Sequence, residues 1–186
     1  CPPVVVVGWV PVEHGNDEIL ARSDVIVNPE ERCIELDGQH EMISLGYANM
    51  TPWHCPRDIP EEELAAKLEK LCAQVKNMRS CVFNLHAPPY DTILDVAPML
   101  DESLRPVTVG GAILETNVGS RAVLDAIKKY QPLISLHGHI HESRGDVKIG
   151  RTVCINPGSE YSQGILRGVL VQLAGNKIKN YTLTSG

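Results

Sequence analysis

Leu136-His137-Gly138-His139-Ile140-His141 sets three histidines at alternate positions around one glycine, directly after the apolar run Gln131-Pro132-Leu133-Ile134-Ser135-Leu136. That run reads as a short buried strand bounded by a proline. A strand sends alternate side chains to the same side, so the spacing lets His139 and His141 aim at one point just past the strand end. Gly138 removes a side chain where the backbone must turn sharply or approach something closely. Neutral imidazole is the commonest protein ligand for a transition metal, and the stretch predicts a metal site at a strand-to-loop junction. Taken alone, the triplet also fits a surface cluster or hydrogen-bonded core histidines.

The remaining chain sets bounds on this reading. Its 186 residues, 43% apolar and 22% charged, fit one globular domain. No apolar run approaches the roughly 20 residues of a membrane span. A net charge of -6 argues against a nucleic-acid-coating surface. It leaves room for a phosphate-ester substrate, because bound cations invert the local field. Cys1, Cys33, Cys55, Cys72, Cys81 and Cys154 form no C-x-x-C pair, which predicts reduced, largely buried thiols and a cytoplasmic location. The opening Cys1-Pro2-Pro3-Val4-Val5-Val6-Val7 enters a strand of the kind buried on both faces. No targeting segment is visible ahead of it, and it predicts a single domain over residues 1–186 cut at its N-terminal side.

Strand-like runs fall at residues 4–7, 25–27, 33–36, 42–45, 81–85, 133–136, 147–149, 152–155, 169–173 and 177–184. A first helix is predicted over about residues 60–78, capped by Asp58, with Glu61, Glu62 and Glu63 at its positive end. Leu64, Leu68, Leu71 and Val75 form its buried stripe. A second helix is predicted over about residues 120–130, with Ala122, Val123, Ala126, Ile127 and Tyr130 on one face. Helices alternating with strands, then a run of strands joined by turns such as Gly175-Asn176, predict an α/β domain.

Four segments place ligand-type residues where strands give way to loops: His14-Gly15-Asn16-Asp17, Asn84-Leu85-His86-Ala87-Pro88-Pro89, Gly138-His139-Ile140-His141 and Asn156-Pro157-Gly158-Ser159. Sites of open α/β sheets form at the carboxyl ends of strands, where such segments converge. Residues 47–59 and 90–115 lack a repeating apolar pattern and are expected to wall the site. His40 and His54 read as surface histidines, with His54 also a candidate for a substrate cleft. Trp9 and Trp53 read as packing residues, because no basic residues interleave with them.

In order and rough spacing these four segments resemble the calcineurin-like metallophosphoesterases, most closely the small prokaryotic branch, from about Val4 to Leu173. The resemblance implies two mixed β-sheets packed face to face with flanking helices, and two divalent ions (Mn, Fe, Zn or Ni) that activate a hydroxide. It implies Asn16, His86 and His139 as ligands of one ion and His141 as a ligand of the other. His137, Gly15 and Gly158 would stand behind them. Asp17 occupies a position where many members carry a histidine that steadies the phosphate or protonates the leaving group. A carboxylate there works as a general acid only with a raised pKa, and a structural role suits it equally.

Members also open with Asp-x-His and continue to a Gly-Asp whose carboxylate bridges both ions, and neither motif occurs here. The resemblance therefore implies a domain without its first βαβ unit that holds at most one ion weakly and is not expected to turn over at a useful rate by itself. The activity implied is hydrolysis of a phosphomonoester or phosphodiester. Self-association through an exposed sheet edge is also expected. Two alternatives stay open. One is a non-catalytic scaffold that retains the fold. The other is a mononuclear hydrolase using the three-histidine loop with Glu142 or Asp146.

Overall fold

The computed structural model describes Arg22, Asp24 and residues 26–186. The predicted strand at residues 4–7, Trp9 and the candidates Gly15, Asn16 and Asp17 lie outside the described residues. In chain order the elements are β1 (Arg32–Glu35), β2 (Glu41–Leu45), β3 (Ala48–Asn49), β4 (Asp58–Ile59), α1 (Glu61–Cys72), β5 (Val82–Leu85), β6 (Val96–Pro98), β7 (Thr108–Val109), β8 (Ala112–Ile113), β9 (Glu115–Asn117), α2 (Arg121–Tyr130), β10 (Ile134–Leu136), β11 (Gly145–Ile149), β12 (Thr152–Asn156), β13 (Arg167–Ala174) and β14 (Lys177–Ser185).

The main sheet runs β1-β2-β5-β10-β12-β11. Its inner pairs β2–β5, β5–β10 and β10–β12 are parallel, and its outer pairs β1–β2 and β11–β12 are antiparallel. Strand periodicity then sorts the core into two faces. Ile43, Leu45, Phe83, Leu85 and Cys154 pack with Leu64, Leu68 and Leu71 of α1 and Val123 and Ile127 of α2. Met42, Val82, Ile134 and Ile155 pack with Val169, Val171, Ile178, Tyr181 and Leu183 of the β13–β14 hairpin. All four residues of β5 are buried, as expected of a central parallel strand covered on both sides. The architecture is thus a mixed α/β one, with helices on one face of a mixed sheet. Among the described residues the opposite layer is a two-stranded antiparallel hairpin, where the sequence predicted a second mixed sheet.

The helices follow their local chemistry. Ser120 caps α2 by accepting from the Val123 N–H at 3.1 Å, and its own hydroxyl donates to Glu61 at 2.7 Å. Glu61 also accepts from the N–H groups of Arg121 and Ala122, both at 2.9 Å. The first residue of α1 therefore satisfies the open donors of α2. Gln131 ends α2 in the left-handed region, where its side-chain amide donates to the Ile127 carbonyl at 2.8 Å.

Several expectations are corrected. Helix α1 stops at Cys72, not near Met78, and its N-cap is Pro60. The Asp58 carboxylate does not cap it; it accepts from Thr51 and from the Cys55 N–H at 2.9 Å. Past Cys72 the chain is redirected by Glu41, which accepts from the N–H groups of Lys76 at 2.9 Å and Asn77 at 3.2 Å. Ile26 and Val27, expected in a strand, are exposed and irregular. His40 is buried rather than on the surface, held between Asp37 and the Gly175 carbonyl, each at 2.8 Å. Trp53, expected to pack, is 60% exposed. Among the described residues no helix is long and apolar enough to cross a membrane.

Candidate functional site

Parallel strands point their carboxyl ends the same way, so β5, β10 and β12 deliver their following residues to one edge of the sheet. The ladder continues past the strand ends. The His86 N–H donates to the Leu45 carbonyl at 2.9 Å, the Gly138 N–H to the His86 carbonyl at 3.1 Å, and the His137 N–H to the Ile155 carbonyl at 2.8 Å. This register brings His86 and His139 together. His86 Nε2 and His139 Nδ1 lie 3.1 Å apart, with the rings edge-on at 66°.

Desolvation shifts both rings toward the neutral form. Burial pushes the His86 pKa down to about 3, and the neighbouring His139, His141 and Arg57 charges add to this against the opposing pull of Asp58. Burial also lowers the His139 pKa, helped by His141 and again opposed by Asp58. Neutral imidazoles carry the lone pairs that metals bind. Two nitrogens about 2.1 Å from one ion, at octahedral or tetrahedral angles, would lie about 3.0–3.4 Å apart. The observed spacing fits two ligands of one divalent ion. Among the described residues no group of three or more His, Cys, Asp or Glu side chains is arranged to hold a metal, so the described donor set stops at this pair.

The backbone under His139 is unusual. Its φ is +66°, and the Ile140 N–H donates to the Gly138 carbonyl at 2.7 Å. His139 thus sits at the apex of a γ-turn of the rarer hand, a strained conformation for a residue with a side chain. His141 lies just beyond the turn, exposed, with its ring edge-on to Tyr161 at 5.5 Å between centroids. His137 points into the interior, where its Nδ1–H donates to the Ala87 carbonyl at 2.9 Å and burial lowers its pKa to about 4. The structure therefore brings one of the three loop histidines, His139, against His86, leaves His141 exposed beside Tyr161 and turns His137 inward. Asp146 accepts from the Tyr181 hydroxyl at 2.9 Å and Glu142 is exposed, so a three-histidine site local to this loop is not built.

The walls meet the site as its neighbours in the fold. The segment after β2 begins next to the Leu45–His86 hydrogen bond, and Asp58 in β4 acts on both histidines. The stretch expected to be patternless holds β6 to β9, and Ser143 just past the histidine loop ties to it by donating to the Val96 carbonyl at 2.6 Å. Gly158 has φ +71°, and a Cβ there would come within 2.9 Å of the His141 carbonyl. Sequence reasoning placed Asn156 in one of the four motif segments but gave it no role of its own. Asn156 is completely buried and its side chain reaches into the histidine loop.

No family model matches the chain. Over 117 residues it is 34% identical to "Uncharacterized protein MJ1162" of Methanocaldococcus jannaschii, covering 62% of this chain and 46% of that protein. One solved crystal structure is similar with a TM-score of 0.53 at 21% identity, covering 86% of this chain and 50% of its own. The likeness is one of fold. The crystal structure of TT1561 of Thermus thermophilus gives a TM-score of 0.49 at 19% identity, covering 86% of this chain and 58% of that one. This chain spans about half the length of the curated relative.

Proposed function

We propose that this chain carries part of the active site of a metal-dependent phosphoesterase acting on a phosphomonoester or phosphodiester. The observation that carries the reading is the pair of half-buried imidazoles whose nitrogens stand 3.1 Å apart just past the ends of two adjacent parallel strands. Further support comes from the motif order and from the fold likeness, at low identity, to the metallophosphoesterase fold group. In this reading His86, His139 and Asn16 hold one divalent ion, His141 serves a second, and Asp17 acts on the leaving group or has a structural role. A bound divalent ion would supply Lewis acidity toward the phosphoryl oxygens and an activated water near neutral pH. The chain's own part is to favour the neutral form of two imidazoles by partial burial and to fix their spacing. The described cysteines are all free thiols, which suits a reducing cytoplasmic setting.

The test is hydrolysis of bis(p-nitrophenyl) phosphate and p-nitrophenyl phosphate with added Mn, Ni or Zn. Any turnover, expected to be slow for a partial site, should require the metal and vanish in His86→Ala and His139→Ala. A second reading, a non-catalytic scaffold that retains the fold, is favoured by a described donor set of two. It predicts no metal-dependent turnover on either ester.

A further inference from the structure

The side chain of Asn156 makes contacts that no feature of its own strand requires. Its Nδ2 donates to the Ile140 carbonyl at 2.8 Å and to the Gly138 carbonyl at 3.3 Å, the two carbonyls on either side of His139. The same nitrogen lies 3.3 Å from the Leu94 carbonyl, in the segment that follows His86. Its Oδ1 accepts from the Gly158 N–H at 2.9 Å, and the next N–H, that of Ser159, donates to the His141 carbonyl at 3.1 Å. One completely buried amide thus joins the end of β12, the histidine loop and the loop after His86.

We infer that Asn156 is the positioning residue of the histidine pair: its amide clasps the Gly138 and Ile140 carbonyls that flank His139 in the γ-turn and so holds His139 at φ +66° with Nδ1 against His86 Nε2. The argument is one of donors and strain. A γ-turn of this hand is unfavourable for histidine and persists only where the surroundings over-determine it. Carbonyls accept and never donate, so the clasp needs a side chain with two hydrogens on one atom and an acceptor beside it. Asparagine supplies both on a short, stiff stem. An aspartate of the same shape would turn an acceptor toward three carbonyls. Partners behind metal ligands orient them and tune affinity. The inference rests on the proposed role of His86 and His139, but its first readout does not depend on metal.

The experiment compares the full chain with Asn156→Asp, Asn156→Ser and Thr152→Val. Thr152→Val removes a different buried hydrogen bond at the opposite end of β12, from Thr152 Oγ1 to the Pro132 carbonyl at 2.7 Å. Two quantities are read: the ring-to-ring NOE between His86 and His139 without metal, and Zn(II) affinity by calorimetry. The NOE should be present in the wild type and in Thr152→Val and lost in both Asn156 variants. Zinc affinity should fall roughly 10–100-fold in the Asn156 variants and hold in Thr152→Val. If Asn156→Asp fails to fold, Asn156→Ser decides. Retention of the NOE in the Asn156 variants would overturn the inference, as would an equal loss in Thr152→Val at matched melting temperature. A wild type that shows the NOE but binds no zinc would overturn the metal reading and leave the positioning role to the NOE comparison alone.

Discussion

His86 Nε2 sits 3.1 Å from His139 Nδ1, across 53 residues of sequence. Two parallel strands set side by side close that gap, and a strained turn aims the second ring. The strain itself is measurable. At φ +66° a glycine is at ease while any Cβ is crowded. His139→Gly is therefore expected to be about 1 kcal/mol more stable than His139→Ala, although both lose the ring. Urea unfolding of the pair checks this, and equal midpoints would mean that the turn relaxes without cost.

Gly158→Ala should disturb the same loop from behind. The new Cβ would meet the His141 carbonyl at 2.9 Å and Arg144 Cβ at 3.0 Å, at a φ of +71°. The expected loss is about 1–3 kcal/mol. Gly111→Ala is the control, because its φ of +85° is also positive but nothing lies within 4 Å. Thermal melts should place Gly158→Ala clearly below Gly111→Ala; coincident melts would show that close approach at Gly158 has no cost.

Glu61→Ala removes an acceptor from the Ser120 hydroxyl and from two backbone N–H groups at the start of α2. Such caps are worth about 0.5–2 kcal/mol. The variant should unfold at lower urea, and Glu61→Gln, which keeps one acceptor oxygen, should lie between it and the wild type.

The buried thiols give stability a defined alkaline limit. Burial pushes the pKa of Cys72 and Cys154 up to about 12 and raises that of Cys81 further still. Above about pH 9 the unfolded thiols ionise while the folded ones keep their protons. The folded state then binds more protons, and stability falls as pH rises. Each such thiol should cost about 1 kcal/mol by about pH 10. Denaturant midpoints at about pH 8 and about pH 10 test this. At the lower pH iodoacetamide should modify exposed Cys55 while leaving Cys72, Cys81 and Cys154 intact until denaturant is added. Early labelling of any of the three would contradict the burial.

Local pattern made β5, β10 and β12 legible, since apolar runs this short between punctuating residues suit covered strands better than helices. The pairing of His86 with His139 was legible as motif order, not as geometry. What stayed hidden depends on partners distant in sequence. The apolar stripe of α1 continues to Val75, yet Glu41 captures the N–H groups of Lys76 and Asn77 and draws the chain out of the helix. His40 is interior because the Gly175 carbonyl, 135 residues away, closes over it. Asn156 looks like the start of a turn until its amide is seen to reach Leu94 and Ile140. A backbone carbonyl leaves no signature in sequence, so a side chain whose partners are carbonyls cannot announce its role.

The most direct measurement is Zn(II) and Mn(II) binding by isothermal calorimetry to the full chain, His86→Ala, His139→Ala and His54→Ala, with circular dichroism to confirm folding. The account predicts that one divalent ion binds the wild type and His54→Ala alike, and that either histidine of the pair, when removed, abolishes or greatly weakens it. Binding that survives in His86→Ala or His139→Ala, or a folded wild type that takes up neither metal, would contradict the account at its centre.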